Sequence, residues 1–168
     1  MATKNDFTAD QWQVLRNTPQ LVALATAAAG NSGLFGSLSE GIAMASSIAE
    51  AARGENPLLR EVFGKDEIRA AQDQIRTMLK SATDRATLNT QLQNAAADGI
   101  KAALSALTAK GATTADTEAF RALLSGIGDK VANASKEGGF LGFGGERVSE
   151  GERQFLAQLK SLVGGATA

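Results

Sequence analysis

Apolar residues recur every three or four positions along most of this chain, which is the spacing of one face of an α-helix. The clearest stripe consists of Ile68, Ala71, Ile75, Met78 and Leu79, with charged and amide side chains between them. Ala, Leu, Gln, Glu, Lys and Arg dominate the sequence, whereas the β-branched and aromatic residues that favour strands are sparse. The pattern predicts an all-α protein without a sheet.

Capping and breaking residues divide this pattern into six to seven helices. The first is predicted from Thr8, which forms a capping box with Gln11, to the loop that starts at Gly30. Within it, Pro19 requires either a kink or a restart with Thr18 as the N-cap. The later helices are predicted to start or be capped at Ser39, Leu58, Asp66, Asp84, Thr114 and Ser149. We expect a single-domain bundle over residues 1–168, with a frayed tail at 164–168.

The second helix has a predicted inward face. Its apolar positions are Ile42, Ala45, Ile48 and Ala52, and Arg53-Gly54 is predicted to end it. The fifth stripe, from Asp84 to Ala109, is expected to end at Lys110-Gly111, since a basic residue and a glycine suit a helix C-terminus.

Two glycine-rich stretches carry large apolar side chains between helices, and we call them the Gly/Phe corners. They span residues 33–36 and 138–145. Their surroundings also match, because a Thr-Ala-Asp triplet precedes each corner (8–10 and 114–116) and a Ser-Glu-Gly triplet follows each (39–41 and 149–151). We infer an internal repeat of 8–54 and 114–163, and therefore two pseudo-symmetric halves.

Three interpretations of the corners remain open. The first is structural, in which Leu34, Phe35, Phe140, Leu141 and Phe143 plug the ends of the bundle while glycines allow close approach. The second is interaction, in which these five side chains contact a second copy or another protein. The third is membrane contact, because residues 33–36, followed by the apolar Ile42 and Met44, resemble a fusion peptide. The match is only four residues long and no basic face accompanies it, so this interpretation is disfavoured.

Composition excludes most catalytic chemistry. The chain has no His and no Cys, so it lacks the ligands and nucleophiles of zinc fingers, His-ligated haem and Ser-His-Asp or Cys-His catalysis. The glycines match neither a Walker A loop nor a dinucleotide fingerprint. We therefore expect no enzyme activity, no catalytic residues and no cofactor.

Charge and hydropathy also limit the choice of partners. Seventeen basic and eighteen acidic residues give a net charge of −1 with the signs interspersed, which does not suit nucleic acid. The most apolar stretch, 21–29, is too short for a membrane span, and the first seven residues lack a signal-peptide layout. We expect a cytoplasmic protein.

Three carboxylates near one helix start are the candidates for a divalent cation. Glu146, Glu150 and Glu152 precede or open the last helix. Carboxylates at a helix N-terminus are ordinarily explained by capping and the helix dipole, and no EF-hand spacing is present. We therefore predict no metal site.

The segment 137–145, followed by Val148-Ser-x-x-Glu152-Arg-x-Phe155-Leu156, resembles small uncharacterised all-helical bacterial proteins. The second part is also similar to the closing motif of TerB-like tellurite-resistance domains. That resemblance implies a helical bundle with pseudo-two-fold halves, and a stress-related domain that binds a small ligand or a divalent cation. The chain departs from this pattern, because Gly144-Gly-Glu146 stands where those domains have Asp-Gly.

We expect a non-catalytic bacterial protein that acts through protein–protein contacts or self-association, as a homo-oligomer, with the five corner side chains as its interaction residues. The alternative is the TerB-like ligand-binding or cation-binding domain. Small residues such as Ala43, Ala95 and Ala103 suit close helix packing in either case.

Overall fold

The computed structural model describes residues 2–30, 38–80, 84–137 and 149–164. Within these residues the chain forms seven α-helices and one short 3-10 turn, with no strand. The prediction of an all-α bundle of six to seven helices is therefore confirmed. After the 3-10 turn at Lys4–Asp6, the helices are α1 (Ala9–Ala29), α2 (Leu38–Arg53), α3 (Pro57–Val62), α4 (Lys65–Lys80), α5 (Arg85–Ala109), α6 (Thr114–Glu137) and α7 (Glu150–Gly164).

Helix α1 is the centre of the bundle and packs against every other helix. Its second half is rich in alanine, and Ala23, Ala25, Ala27 and Ala28 are all buried. Small side chains let neighbouring helix axes approach closely, which is why one helix can be surrounded on several sides.

Helix α5 lies antiparallel to α1. A Cβ placed on Gly99 would lie 2.9 Å from the hydroxyl oxygen of Thr18, so the two helices are closest near their midpoints. Hydrogen bonds from Thr3, with the more distant charge of Lys110, lower the pKa of Asp6. The end of α5 therefore lies near the start of α1.

Helices α2, α6 and α7 form an antiparallel series. Glu50 of α2 pairs with Lys130 of α6 at 2.7 Å, while Asn56, which follows α2, bonds Asp116 at the start of α6. Residues 128 and 121 of α6 meet residues 159 and 163 of α7 respectively. The start of α2, the end of α6 and the start of α7 therefore lie at the same end of the bundle.

Reciprocal capping boxes begin three of the α-helices that the structure describes. The predicted boxes Thr8/Gln11 and Ser149/Glu152 are confirmed by hydrogen bonds of 2.8 to 3.2 Å. A third, Thr113/Asp116, begins α6. The Thr-Ala-Asp triplets of the two predicted repeats hold different positions relative to their helix starts, since Thr8 is itself an N-cap whereas Thr114 follows one.

The end of α5 follows its prediction. Gly111 adopts φ of +68°, a left-handed conformation that glycine accepts without strain. Its N–H bonds the Thr108 carbonyl, and the Ala112 N–H bonds the Leu107 carbonyl at 3.0 Å, which is the Schellman pattern.

One of the two alternatives at Pro19 is excluded, because helix α1 continues through Pro19 without a restart and the Thr18 hydroxyl donates to the Val14 carbonyl at 2.7 Å instead of capping a new helix. Two local predictions are wrong. Ala45 is exposed, since α2 buries Ser47 and Ile48. Helix α4 begins at Lys65, because the carbonyl of Gly64, two residues before the predicted cap Asp66, accepts the Ile68 N–H.

No helix in the described part of the chain combines the length and the apolar character that a membrane crossing requires.

Two glycines of α6 give a matched test of this packing. A Cβ at Gly128 would lie 2.5 Å from a methyl group of Leu159, whereas a Cβ at Gly126 would meet nothing within 4 Å. We expect Gly128→Ala to lower the free energy of unfolding by about 1–3 kcal/mol, because the buried Leu159 side chain must leave its packed position. Gly126→Ala should raise it by about 0.5–1 kcal/mol through helix propensity. Urea titrations measure both, and equal effects of the two substitutions would contradict the assigned contact.

Candidate functional site

The end of α1 abuts the start of α7, and we call this contact the α1–α7 junction. The Ser149 hydroxyl approaches the Ala29 carbonyl oxygen at 3.4 Å. A Cβ placed on Gly151 would lie only 2.4 Å from that same carbonyl oxygen. Since the obstacle is backbone, which cannot rotate away as a side chain does, only glycine fits at position 151.

Glu152 is buried at this junction, with 3% of its surface exposed. One carboxylate oxygen accepts the Ser149 N–H at 2.8 Å, and the other lies 2.9 Å from the position of a Cβ on Gly30. The carboxylate sits in the first turn of α7, where the helix dipole favours negative charge. The missing side chain at Gly30 thus makes room for Glu152.

The junction joins residues that flank the two predicted Gly/Phe corners. Gly30 is the last described residue before the first corner, and Ser149 is the first described residue after the second. The other flanking residues are Leu38, which begins α2, and Glu137, which ends α6, and the antiparallel series brings these to the same end. We call this the corner end of the bundle.

The predicted interaction residues are not themselves described. Leu34, Phe35, Phe140, Leu141 and Phe143 all lie outside the described residues. The structure therefore brings together the residues that flank them.

The carboxylate candidates separate into different environments. Glu150 is exposed, and its two oxygens accept from Arg153 at 2.7 Å and Gln154 at 3.1 Å. Glu152 is buried at the junction, and Glu146 lies outside the described residues. Within the described ranges, no group of three or more His, Cys, Asp or Glu residues could hold a metal ion.

A second concentration of polar groups, which sequence reasoning missed, lies between α1 and α4. The Glu67 carboxylate forms ion pairs with the Lys4 ammonium and with the Arg16 guanidinium, whose Nη1 lies 2.8 Å from Glu67 Oε2. The Gln74 side chain accepts from Asn17 at 2.8 Å and from Arg16 at 3.2 Å, and it donates to Gln13 at 2.9 Å. We call Lys4, Gln13, Arg16, Asn17, Glu67 and Gln74 the α1–α4 polar cluster.

Trp12, the single tryptophan, is buried beside this cluster. Its ring centroid lies 5.7 Å from that of Phe7 and 5.8 Å from the Lys4 ammonium nitrogen. The indole N–H faces Glu67 and helps to lower its pKa, but it does not reach hydrogen-bonding geometry. Arg16 Nε and Asn17 Oδ1 are also buried without a hydrogen bond. An unsatisfied buried group of this kind costs about 1–3 kcal/mol.

Besides Asp6, two partly or fully buried carboxylates have pKa values below their ordinary range. Burial by itself raises the pKa of Glu67, but hydrogen bonds from Lys4 and Arg16 outweigh it. Burial opposes ionisation of Asp116 in the same way, and hydrogen bonds from Thr113 and Asn56 lower its pKa overall. Both groups are therefore stabilised as carboxylates by the fold.

Asp116 connects two helix starts. It accepts from Thr113 in the capping box of α6 and from the Asn56 amide at 2.9 Å. Asn56 in turn caps α3, because its side-chain oxygen accepts the Leu59 N–H at 2.9 Å. The Thr-x-x-Asp spacing at 113–116 signals the local box in the sequence, but no local pattern relates it to Asn56.

Comparison of the chain with protein-family models, curated proteins and solved structures finds no match. The TerB-like resemblance stays a prediction from the sequence, and the functional argument rests on contacts within this chain.

The junction predicts that Gly151 does not tolerate a methyl group. We expect Gly151→Ala to lower the free energy of unfolding by about 2 kcal/mol or more, since α7 must separate from the Ala29 carbonyl. Gly164→Ala, at the open end of the same helix, is the matched control and should be neutral or slightly stabilising. Thermal unfolding of both variants measures the difference, and a Gly151→Ala midpoint equal to that of the control would refute the close approach.

The lowered pKa values of Glu67 and Asp116 predict acid sensitivity. A carboxyl whose pKa is lower in the folded state stabilises the protein above its unfolded pKa, about 4, and loses that contribution as pH falls through the folded value. We expect the free energy of unfolding, measured by urea titration, to decrease as the pH falls below about 5. The double variant Glu67→Gln and Asp116→Asn should be less stable at pH 7 and show a flatter dependence on pH. An unchanged slope would exclude these two groups as its source.

Proposed function

We propose that this chain is a non-catalytic helical protein that acts through protein–protein contact, and that the contact is self-association through the corner end of the bundle. The observation that carries the proposal is the α1–α7 junction. It joins the residues that flank both Gly/Phe corners, so the five apolar side chains of the corners belong to segments attached to one end.

The close packing at the junction supports the proposal. Gly30 and Gly151 permit contacts too close for any Cβ, and Glu152 fills the space that Gly30 leaves. An interaction surface gains affinity when its supports are already ordered before binding, because less conformational entropy is lost. Tightly packed flanking residues are the kind of support that such a surface requires.

The carboxylates held between helices favour a binding role over catalysis. Glu67 pairs with two cations, Asp116 accepts from Thr113 and Asn56, and Glu152 caps α7. Each of these groups is engaged in holding helices together. A general acid or base would need a carboxyl directed at a substrate.

Light scattering coupled to size-exclusion chromatography tests the proposal. We expect the wild-type chain to show a mass that is a multiple of 17.3 kDa and that falls on dilution. Replacing two corner aromatics, in the double variant Phe35→Ser and Phe143→Ser, should remove apolar contact area and give the 17.3 kDa monomer.

The matched control is Leu104→Ser, a half-buried apolar residue of α5 towards the opposite end of the bundle. It should keep the wild-type mass. Circular dichroism checks that all variants remain helical. A wild-type mass of 17.3 kDa at every concentration would overturn self-association, as would a folded double variant with an unchanged mass.

A further inference from the structure

Helix α4 is attached to the bundle differently from the other long helices. Within the part of the chain that the structure describes, α1 is the one helix against which α4 packs extensively, whereas α5, α6 and α7 each pack against at least three. In α4, Ala71 and Ile75 are buried, while Ile68, Met78 and Leu79 are partly buried and packed against the core. The apolar stripe of α4 therefore attaches it to the bundle on one side, mainly through α1.

Polar contacts make up much of the remaining interface. The α1–α4 polar cluster supplies hydrogen bonds between Gln74 and three side chains of α1, all of which water can replace. Amide hydrogen bonds of this kind add little net stability, because the open state forms equivalent bonds to water.

The unsatisfied atoms favour opening. Trp12 Nε1, Arg16 Nε and Asn17 Oδ1 belong to residues of the first half of α1, next to the contacts with α4, and each is buried without a hydrogen bond. When α4 moves away, water can form a hydrogen bond with each of these atoms. The closed interface thus carries a cost that opening removes.

Glu67 opposes this opening at the first turn of α4. Its carboxylate is 13% exposed and binds both Lys4 and Arg16, which belong to the N-terminal segment and to α1. Glu61, just before α4, accepts the Lys4 backbone N–H at 3.0 Å. One carboxylate therefore joins three parts of the chain at this end of α4.

We propose that α4 opens away from α1 as a unit while the other helices stay folded, and that Glu67 is the latch that keeps it closed. Opening uncovers Trp12 of α1 together with Ala71 and Ile75 of α4, two apolar surfaces that are hidden in the closed state. This conformational switch involves α1 near its start, far from the corner end, and is independent of the proposed self-association.

Native-state hydrogen exchange of the full chain, read by mass spectrometry, tests the switch. In the wild type, amides of residues 68–80 should exchange at least about tenfold faster than buried amides of α5 and α6, since local opening requires less free energy than global unfolding. Glu67→Gln should speed exchange in α4 by a further tenfold or so, with α5 and α6 unchanged.

The control is Glu50→Gln, which removes the exposed ion pair between α2 and α6 and should leave exchange in α4 unchanged. Equal exchange of α4 and α5 in the wild type would overturn the proposal, and this comparison needs no variant. Faster exchange of every helix together in Glu67→Gln would also overturn it, because Glu67 would then stabilise the whole fold.

Discussion

Most of the fold depends on one constraint, which is that, when α4 is closed, α1 packs at once against each of the other helices in the described ranges. Its alanine-rich second half allows close approach from several directions, and glycines on its neighbours, Gly99 and Gly151, remove the side chains that would prevent contact. Buried Thr18 and Thr26 bond their hydroxyls to carbonyls of α1 itself, so the central helix requires no polar partner at those positions. Size rather than hydrophobicity is what selects the residues at these contacts.

The two ends of α1 pack against their neighbours in different ways. Near its start, large polar side chains face α4, and the interface leaves Trp12 Nε1 and two other buried atoms without hydrogen bonds. At its end, Ala29 and Gly30 are small enough for α7 to abut them, and Glu152 closes the remaining space. The helix that we propose to move, α4, therefore packs near the start of α1, where buried atoms lack hydrogen bonds. The proposed association surface lies near the end of α1, where the helices pack closely.

Local rules recovered much of this architecture from the sequence. Helical periodicity predicted the number of helices, and the capping boxes at Thr8 and Ser149 predicted where α1 and α7 begin. At Pro19 the sequence left a kink or a restart open, and α1 continues through this residue without a restart. The contacts of Glu67 with Arg16 and of Asp116 with Asn56 join residues 51 and 60 positions apart, so no local pattern contains them. The corner side chains were predicted to be interaction residues from composition and spacing. The contacts that the structure describes involve the residues that flank them.

The central claim is that two copies meet through the corner end, and a distance between spin labels tests it most directly. The chain has no cysteine, so single labels can be placed at exposed Gln154, near the α1–α7 junction, and at exposed Ala109, near the opposite end. Pulsed dipolar spectroscopy of each singly labelled protein then measures the separation between the two copies. The account predicts a short distance for position 154 and a longer one for position 109. A shorter distance at 109, or no dipolar coupling at 154, would contradict it.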